Sequence, residues 1–105
     1  MKFVETPVFT RRLLNLLSDE EYRSLQMTLL LRPHQGSLIP ESGGLRKLRW
    51  RLKGKGKRGG LRVIYYWDRL EQMIYMLLVY PKNEQEDLTA NQLKVLSKLV
   101  EKEFK

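Results

Sequence analysis

Two apolar segments, LRVIYYW at residues 61–67 and MIYMLLVY at residues 73–80, decide the fold. β-Branched and aromatic residues favour strands, and both segments are apolar at successive positions. Continuous hydrophobicity predicts burial on both faces, so both strands are expected to be central. Asp68-Arg69-Leu70-Glu71 lies between them and is predicted to be a turn. A short connection of this kind favours an antiparallel pair.

The preceding segment, LRKLRWRL at residues 45–52, alternates in polarity. Leu48, Trp50 and Leu52 would face one way, and the cations at 47, 49 and 51 the other, because side chains along a strand alternate between faces. This pattern predicts a half-buried strand with a cationic outer face.

The flanking segments predict one further strand and three helices. Residues 2–9 are predicted to be a first strand, with Pro7 at an edge or strand end, and Thr10 is predicted to cap a short helix over residues 11–17. Ser18 and Glu21 form a capping box for a second helix that Pro33 ends. Residues 33–44 are loop by composition. Thr89 and Gln92 predict a cap for a final helix. The apolar stripe of this helix consists of Leu93, Leu96, Val100 and Phe104.

The resulting order is β-α-α-β-β-β-α. It predicts an α+β fold in which helices pack on one face of an antiparallel sheet. The length of 105 residues and the absence of an internal linker predict a single domain over residues 1–105.

The charge balance points to an anionic partner. The chain has 20 Lys and Arg against 12 Asp and Glu, a net charge of +8, which is typical of nucleic-acid binders. A merely soluble basic protein is the alternative. The absence of cysteine excludes disulfides and thiol nucleophiles. No signal peptide, membrane span or metal-ligand spacing is recognisable, so a cytoplasmic protein without a metal is expected.

The positive charge is concentrated in residues 45–62, which contain no acidic residue. Glycines at 54, 56, 59 and 60 would let the backbone approach a ligand closely, and arginine offers a bidentate fork for phosphate. A solvated basic loop without a catalytic role is the alternative. The nine cations of the segment are Arg46, Lys47, Arg49, Arg51, Lys53, Lys55, Lys57, Arg58 and Arg62.

Other polar and aromatic residues carry weaker signals. Tyr80 is expected to be more open than the core aromatics, because it precedes a polar loop. In that loop Glu84 is a candidate base or orienting group, whereas Glu86 and Asp87 are expected to be solvated. His34, the only histidine, is not expected to be catalytic.

Three segments together resemble the RelE/HigB-type toxins of bacterial type II toxin–antitoxin systems, in particular the HigB-like branch: GGLRKLRW (43–50), KGKGKRGGLRVIYYW (53–67) and VYPKNEQEDLTANQ (79–92). The resemblance implies a RelE-like (microbial-RNase-like) fold, with a twisted antiparallel sheet, an N-terminal helical hairpin and a C-terminal helix. It also implies an endoribonuclease (mRNA interferase) that cleaves mRNA in the ribosomal A site and inhibits translation. The 2′-OH would attack the adjacent phosphate without a metal or cofactor.

The resemblance also implies roles for particular residues. Arg62 matches the arginine on the scissile phosphate, and Arg58 would assist it. One of Lys53, Lys55 and Lys57 would act as the base or as an electrostatic group. Tyr80 or Lys82 would position the reacting groups or protonate the leaving 5′-oxygen. Asn83 departs from the arginine of RelE-like members, and the family's C-terminal catalytic tyrosine has no counterpart. The expected RNA-binding residues are Arg46, Lys47, Arg49, Arg51, Lys53, Gly54 and Gly56.

The implied partners are a cognate antitoxin of the helix-turn-helix type, the 70S ribosome and mRNA. Operator DNA would be contacted only indirectly, through the antitoxin, and no membrane is involved. Two alternatives stay open. One is a non-enzymatic RNA- or ribosome-binding protein; the other is an inactive relative that acts as an antitoxin partner or co-repressor.

Overall fold

The computed structural model describes residues 1–52 and 60–104, without the side chain of Phe104. Its elements are β1 (Lys2–Glu5), α1 (Pro7–Leu16), α2 (Asp19–Leu31), β2 (Ser37–Leu38), β3 (Leu45–Arg51), β4 (Gly60–Asp68), β5 (Met73–Pro81) and α3 (Ala90–Phe104). The mixed α+β prediction is confirmed. The short strand β2 is an addition within a segment that was predicted to be loop.

The five strands form one sheet in the order β1-β5-β4-β3-β2. β4 and β5 have strand neighbours on both sides, which confirms that they are central. The antiparallel prediction holds from β2 to β5, whereas β1 pairs with β5 in parallel. Two helices intervene between β1 and the rest of the sheet, and such a connection permits a parallel neighbour where a tight turn does not.

The N-terminal segment differs from its prediction. The strand ends at Glu5, and α1 begins at Pro7 with Thr6 as its N-cap. The hydroxyl of Thr6 accepts a hydrogen bond from the Phe9 amide at 3.0 Å and donates one to the Leu77 carbonyl at 2.9 Å. Proline suits the first helical position, because its φ is already helical and the helix needs no N–H there. Thr10 therefore lies inside the helix and is not its cap.

The other two helix starts follow their predictions. Ser18 and Glu21 form the complete capping box of α2, with both hydrogen bonds present. Before α3, Thr89 and Gln92 each accept a bond from the other's backbone amide, at 3.1 and 3.0 Å. These bonds satisfy amides that have no partner within the helix.

Apolar side chains cover both faces of the sheet, so the prediction that all helices lie on one face is wrong. The α1–α2 hairpin covers one face, hereafter the hairpin face, and α3 covers the other, the α3 face. Both faces of β4 and β5 are apolar, so helices must pack on each face to shield them from water. The hairpin-face core comprises Phe9, Leu13, Leu17, Leu25, Leu29, Leu48, Leu61, Val63, Tyr65, Ile74, Met76 and Val79. The α3-face core comprises Leu45, Ile64, Leu77, Leu78, Tyr80 and Val100.

A register shift in β5 decides which residues share the α3 face. Ile64 pairs with Leu78 and Tyr65 pairs with Met76, which leaves Leu77 as an extra residue. An extra residue of this kind reverses the alternation beyond it. Tyr80 consequently lies on the same face as Arg62, with which it pairs across the two strands.

None of the helices within residues 1–52 and 60–104 is long and apolar enough to cross a membrane.

Candidate nucleic-acid interface

Arg62, in the central strand β4, lies at the middle of a row of side chains across the sheet. Arg49 of β3 is its partner on one side and Tyr80 of β5 on the other. Arg62 is only 6% exposed, whereas Arg49 is exposed. Like charges opposite each other on adjacent strands are destabilising, and a nearly buried guanidinium needs a counter-charge.

Glu86 supplies that counter-charge. Its Oε2 accepts hydrogen bonds from Nε and Nη2 of Arg62 at 2.9 and 2.7 Å. The hydrogen bond from Arg62, together with the positive charges of Arg62, Arg49 and Lys47, lowers the pKa of Glu86 despite some desolvation. The Glu86 side chain is 53% exposed, as expected of a solvated loop, but it is also ion-paired, which was not expected. The pairing depends on the β4–β5 register and on the course of the loop after β5, which the sequence pattern does not give.

Asp87, like Glu86, forms an ion pair with a cation of the sheet, in this case one from β3. Its Oδ1 forms a close ion pair with Nζ of Lys47. The hydrogen bond and charge of Lys47 lower the pKa of Asp87, and Arg49 and Arg62 add to this effect. The Asp87 side chain is likewise exposed as expected, at 73%, and its ion pair was not expected. Two adjacent acidic residues therefore lie over the cationic α3 face.

Glu84 contacts a different element. Its Oε2 forms an ion pair with Nη2 of Arg12, from α1, at 3.1 Å, and Arg12 also donates to the Val79 carbonyl at 3.4 Å. Glu84 therefore orients Arg12 rather than Arg62. Three acidic residues of the loop that follows β5 are each paired with a cation from a different element.

Tyr80 is fully buried, contrary to the expectation of an open position. Its hydroxyl donates a long hydrogen bond of 3.4 Å to the backbone carbonyl of Glu86. Burial is the main cause that raises the pKa of Tyr80 to about 12, and the charge of Asp87 adds to it. The phenol is thus protonated at neutral pH and holds the loop beside Arg62.

Lys82 is exposed and lies against the start of β4. Its backbone amide donates to the Gly60 carbonyl at 3.0 Å. A Cβ on Gly60 would lie 3.0 Å from the Lys82 Cδ, so a larger residue there would require the lysine stem to move. Gly60 in turn pairs with Arg51 at the end of the β3–β4 ladder.

Arg46 does not join the other cations. It pairs with Tyr65 in the register and lies on the hairpin face. Its Nη1 donates to the carbonyls of His34 and Gly36 at 3.0 and 2.8 Å. Lys47, Arg49 and Arg51 alternate with Arg46 and share the α3 face with Arg62. The structure thus brings together three of the four β3 cations that were predicted to bind RNA.

A cleft of about 640 Å³ adjoins this face, between the β2–β3 edge and the start of α3. Lys47, Arg49 and Asp87 provide its charged wall. Apolar residues provide much of the remainder, namely Leu38, Ile39, Pro40, Leu48, Leu88 and Leu93. A concave site with a few charged groups and apolar walls is suited to a small planar group that carries an anion.

Several predicted site residues lie outside the described residues: Lys53, Gly54, Lys55, Gly56, Lys57 and Arg58. Their assignments remain predictions. Within residues 1–52 and 60–104, no three His, Cys, Asp or Glu side chains lie close enough to hold a metal ion.

The described geometry defines a small basic α+β protein with a cationic sheet face. A family model described as the RelE toxin of the RelE/RelB toxin–antitoxin system matches residues 32–105. The chain belongs to this family and is a toxin of a toxin–antitoxin system. The HigB-like branch stays a prediction.

A solved structure supports the fold. A chain in the crystal structure of the intact Escherichia coli RelBE toxin–antitoxin complex is similar, with a TM-score of 0.55 and 12% sequence identity. The alignment covers 75% of this chain and 93% of that chain. The fold expected from the sequence is thereby confirmed.

Proposed function

We propose that this toxin is a cytoplasmic, metal-independent endoribonuclease that cleaves mRNA in the ribosomal A site. Its 105 residues would form one RelE-like domain. The observation that carries the proposal is the nearly buried Arg62, which stands beside Arg49 on a cationic face at a cleft. Membership of the RelE toxin family supports the reaction class.

The reaction has modest chemical requirements. The 2′-OH loses a proton and attacks the adjacent phosphorus, the bond to the 5′-oxygen breaks, and that oxygen gains a proton. Positive charge close to the phosphate stabilises the dianionic transition state. Arg62 holds the scissile phosphate, and Arg49 increases the local positive potential. Arg58, Lys55 and Lys57 are the further electrostatic groups of the proposal.

Two residues at the end of β5 and directly after it complete the assignment. Lys82 is exposed beside Gly60 and protonates the leaving oxygen. Tyr80 is fully buried and acts as a positioning residue through the Glu86 carbonyl. A buried phenol cannot meet the phosphodiester directly, so its effect passes through the loop.

The RNA would run along the α3 face, with its phosphates near the outward cations. Lys47, Arg49 and Arg51 come from β3, and Lys53, Gly54 and Gly56 are the further RNA-binding residues of the proposal. The cleft next to Lys47 is large enough for a nucleobase. Phosphate contacts of this kind supply affinity without reading sequence.

The proposed partners follow from the family. A cognate antitoxin of the helix-turn-helix type binds and silences the enzyme, and operator DNA is reached only through it. The similarity to a chain of the RelBE toxin–antitoxin complex supports such a partner. The 70S ribosome presents the mRNA.

Cleavage assays on the same mRNA, with and without programmed 70S ribosomes, test the proposal. Primer extension should reveal new 5′-ends in phase with codons only when ribosomes are present. Intact message together with stable ribosome association would support the non-enzymatic alternative. Cleavage of free RNA at equal rates would contradict the ribosome requirement.

A further inference from the structure

We infer that Glu86 is the general base that removes the proton from the attacking 2′-OH. The inference rests on the proposed ribonuclease function and gives the unassigned base an identity. It is carried by the contact between the Glu86 carboxylate and the guanidinium proposed to hold the scissile phosphate. The 2′-OH is adjacent to that phosphate, so its base must lie beside the phosphate-binding group.

The hydrogen bonds leave one carboxylate oxygen available. Both bonds from Arg62 go to Oε2. Within the described residues, Oε1 of Glu86 makes no hydrogen bond, and the side chain is 53% exposed. One oxygen is therefore anchored while the other can accept a proton from a ligand on the α3 face.

Neighbouring contacts hold the carboxylate in place. Tyr80 donates to the Glu86 backbone carbonyl. On either side along the chain, Glu84 is paired with Arg12 and Asp87 with Lys47. Precise placement matters, because a general base must be within hydrogen-bond reach of the proton that it removes.

The charge state suits a base. The groups that face Glu86 are Lys47 and Arg49 from β3, Arg62 from β4, Tyr80 from β5 and its neighbour Asp87. The bond to Arg62 lowers the pKa of Glu86, which keeps the carboxylate ionised at neutral pH. A bound phosphodiester adds negative charge nearby and raises that pKa again, so proton affinity increases when the substrate arrives.

The step balances without another reagent. Oε1 of Glu86 takes the 2′-OH proton as the 2′-oxygen forms its bond to phosphorus. The bond from phosphorus to the 5′-oxygen then breaks, and that oxygen takes a proton from Lys82 or water. The products are a 2′,3′-cyclic phosphate and a 5′-hydroxyl. Glu86 returns its proton to solvent, and Lys82 regains from solvent the proton that it gave.

Comparison of Glu86→Gln with Glu84→Gln tests the inference, because both residues lie in one loop and pair with an arginine. Single-turnover cleavage on programmed ribosomes should fall by about 10²–10³ in E86Q and by less than about tenfold in E84Q. Affinity for a message with a 2′-deoxy substitution at the cleavage site should be unchanged or tighter in E86Q. The wild-type rate should decline on the acid side of its pH profile, and E86Q should lack this decline.

Other results would overturn the inference. If E86Q cleaves within about threefold of the wild-type rate, Glu86 is not the base. If E86Q loses binding and cleavage equally, Glu86 only positions Arg62 and is again not the base. Thermal melts are one control for misfolding. Glu86→Asp is the other, because it keeps a carboxylate and should regain part of the rate. If the wild type itself leaves mRNA intact, the proposed function fails; if the wild type cleaves and E86Q matches it, only the Glu86 assignment fails.

Discussion

Arg46 and Arg49 lie three residues apart in β3 but on opposite faces of the sheet. Arg46 holds the carbonyls of His34 and Gly36 on the hairpin face, whereas Arg49 lies beside Arg62 on the α3 face. One strand thus carries a structural arginine and a candidate RNA-binding arginine. Their substitutions should have separable consequences.

Arg49→Ala should weaken RNA binding and reduce the salt dependence of affinity. Loss of one phosphate contact to a single strand lowers the log–log salt slope by about 0.7. Arg46→Ala should leave the slope unchanged and lower the free energy of unfolding by about 1 kcal/mol, because two hydrogen bonds to the loop are lost. Fluorescence anisotropy with a labelled oligoribonucleotide and urea denaturation measure the two effects. Equal slope changes in both variants would refute the separation of the faces.

Tyr65→Phe should destabilise the fold by about 1–3 kcal/mol. The buried Tyr65 hydroxyl accepts from the Gly36 amide at 2.8 Å and donates to the Pro33 carbonyl at 2.7 Å. Phenylalanine leaves both groups without that partner. Gly36→Ala should act on the same contact, because its Cβ would come within 2.8 Å of the Tyr65 ring. Urea unfolding checks both variants, and a cost below about 0.5 kcal/mol in Tyr65→Phe would argue against the contact.

Stability should decline in alkaline solution. Burial raises the pKa of Tyr80 to about 12 from 10.0. Burial followed by the hydrogen bond to Glu5 also raises the pKa of Tyr22. Because the folded protein retains these protons more tightly, the stabilisation is complete below about pH 10 and is lost as the pH rises through the folded values.

Urea unfolding between about pH 9 and pH 11 measures this decline. Tyr22→Phe should flatten the pH dependence, since phenylalanine has no proton to lose. A wild-type free energy of unfolding that stays constant across this range would contradict the pKa shifts.

Thr6→Ala should cost more than Ser18→Ala, although both remove an N-cap. Ser18→Ala is expected to cost about 1 kcal/mol, the usual value for a cap. Thr6 additionally bonds the Leu77 carbonyl of β5, so its loss should approach about 2 kcal/mol. Thr6→Ser, which retains the hydroxyl, serves as the control in thermal and urea unfolding. Equal costs for the two alanine variants would show that the contact with β5 contributes little.

Much of the sheet follows from local sequence pattern. The continuous apolar runs of β4 and β5 predict two central strands, and the hydroxyl and glutamate of Ser18 and Glu21 predict a helix start. The same apolar runs require cover on both faces, which one-sided helix packing does not provide. Pro7 was ambiguous, because proline suits both a strand end and the first turn of a helix.

The candidate site was only partly predictable, because its counter-charges depend on tertiary structure. Arg62 stands out through its basic segment and family resemblance. Glu86 does not stand out in the sequence, because its partner Arg62 lies 24 positions away. The two residues meet only through the course of the loop after β5. Tyr80 lies on the α3 face because of the extra residue Leu77 in β5, which strict alternation does not anticipate. Arg46 is among the predicted RNA-binding residues because of its charge, although strand alternation places it on the same face as Leu48.

The most direct measurement compares wild type, Arg62→Ala and Arg23→Ala in primer extension on mRNA bound to 70S ribosomes. Arg23 is exposed on α2, at the hairpin, and serves as a matched loss of positive charge. Wild type and Arg23→Ala should produce codon-phased 5′-ends at similar rates. Arg62→Ala should be slower by about 10²–10³ while its melting temperature stays near that of wild type, since the Glu86 side chain is already 53% exposed and water can solvate it when its partner is removed. Cleavage by a folded Arg62→Ala variant at the wild-type rate would contradict the proposed site.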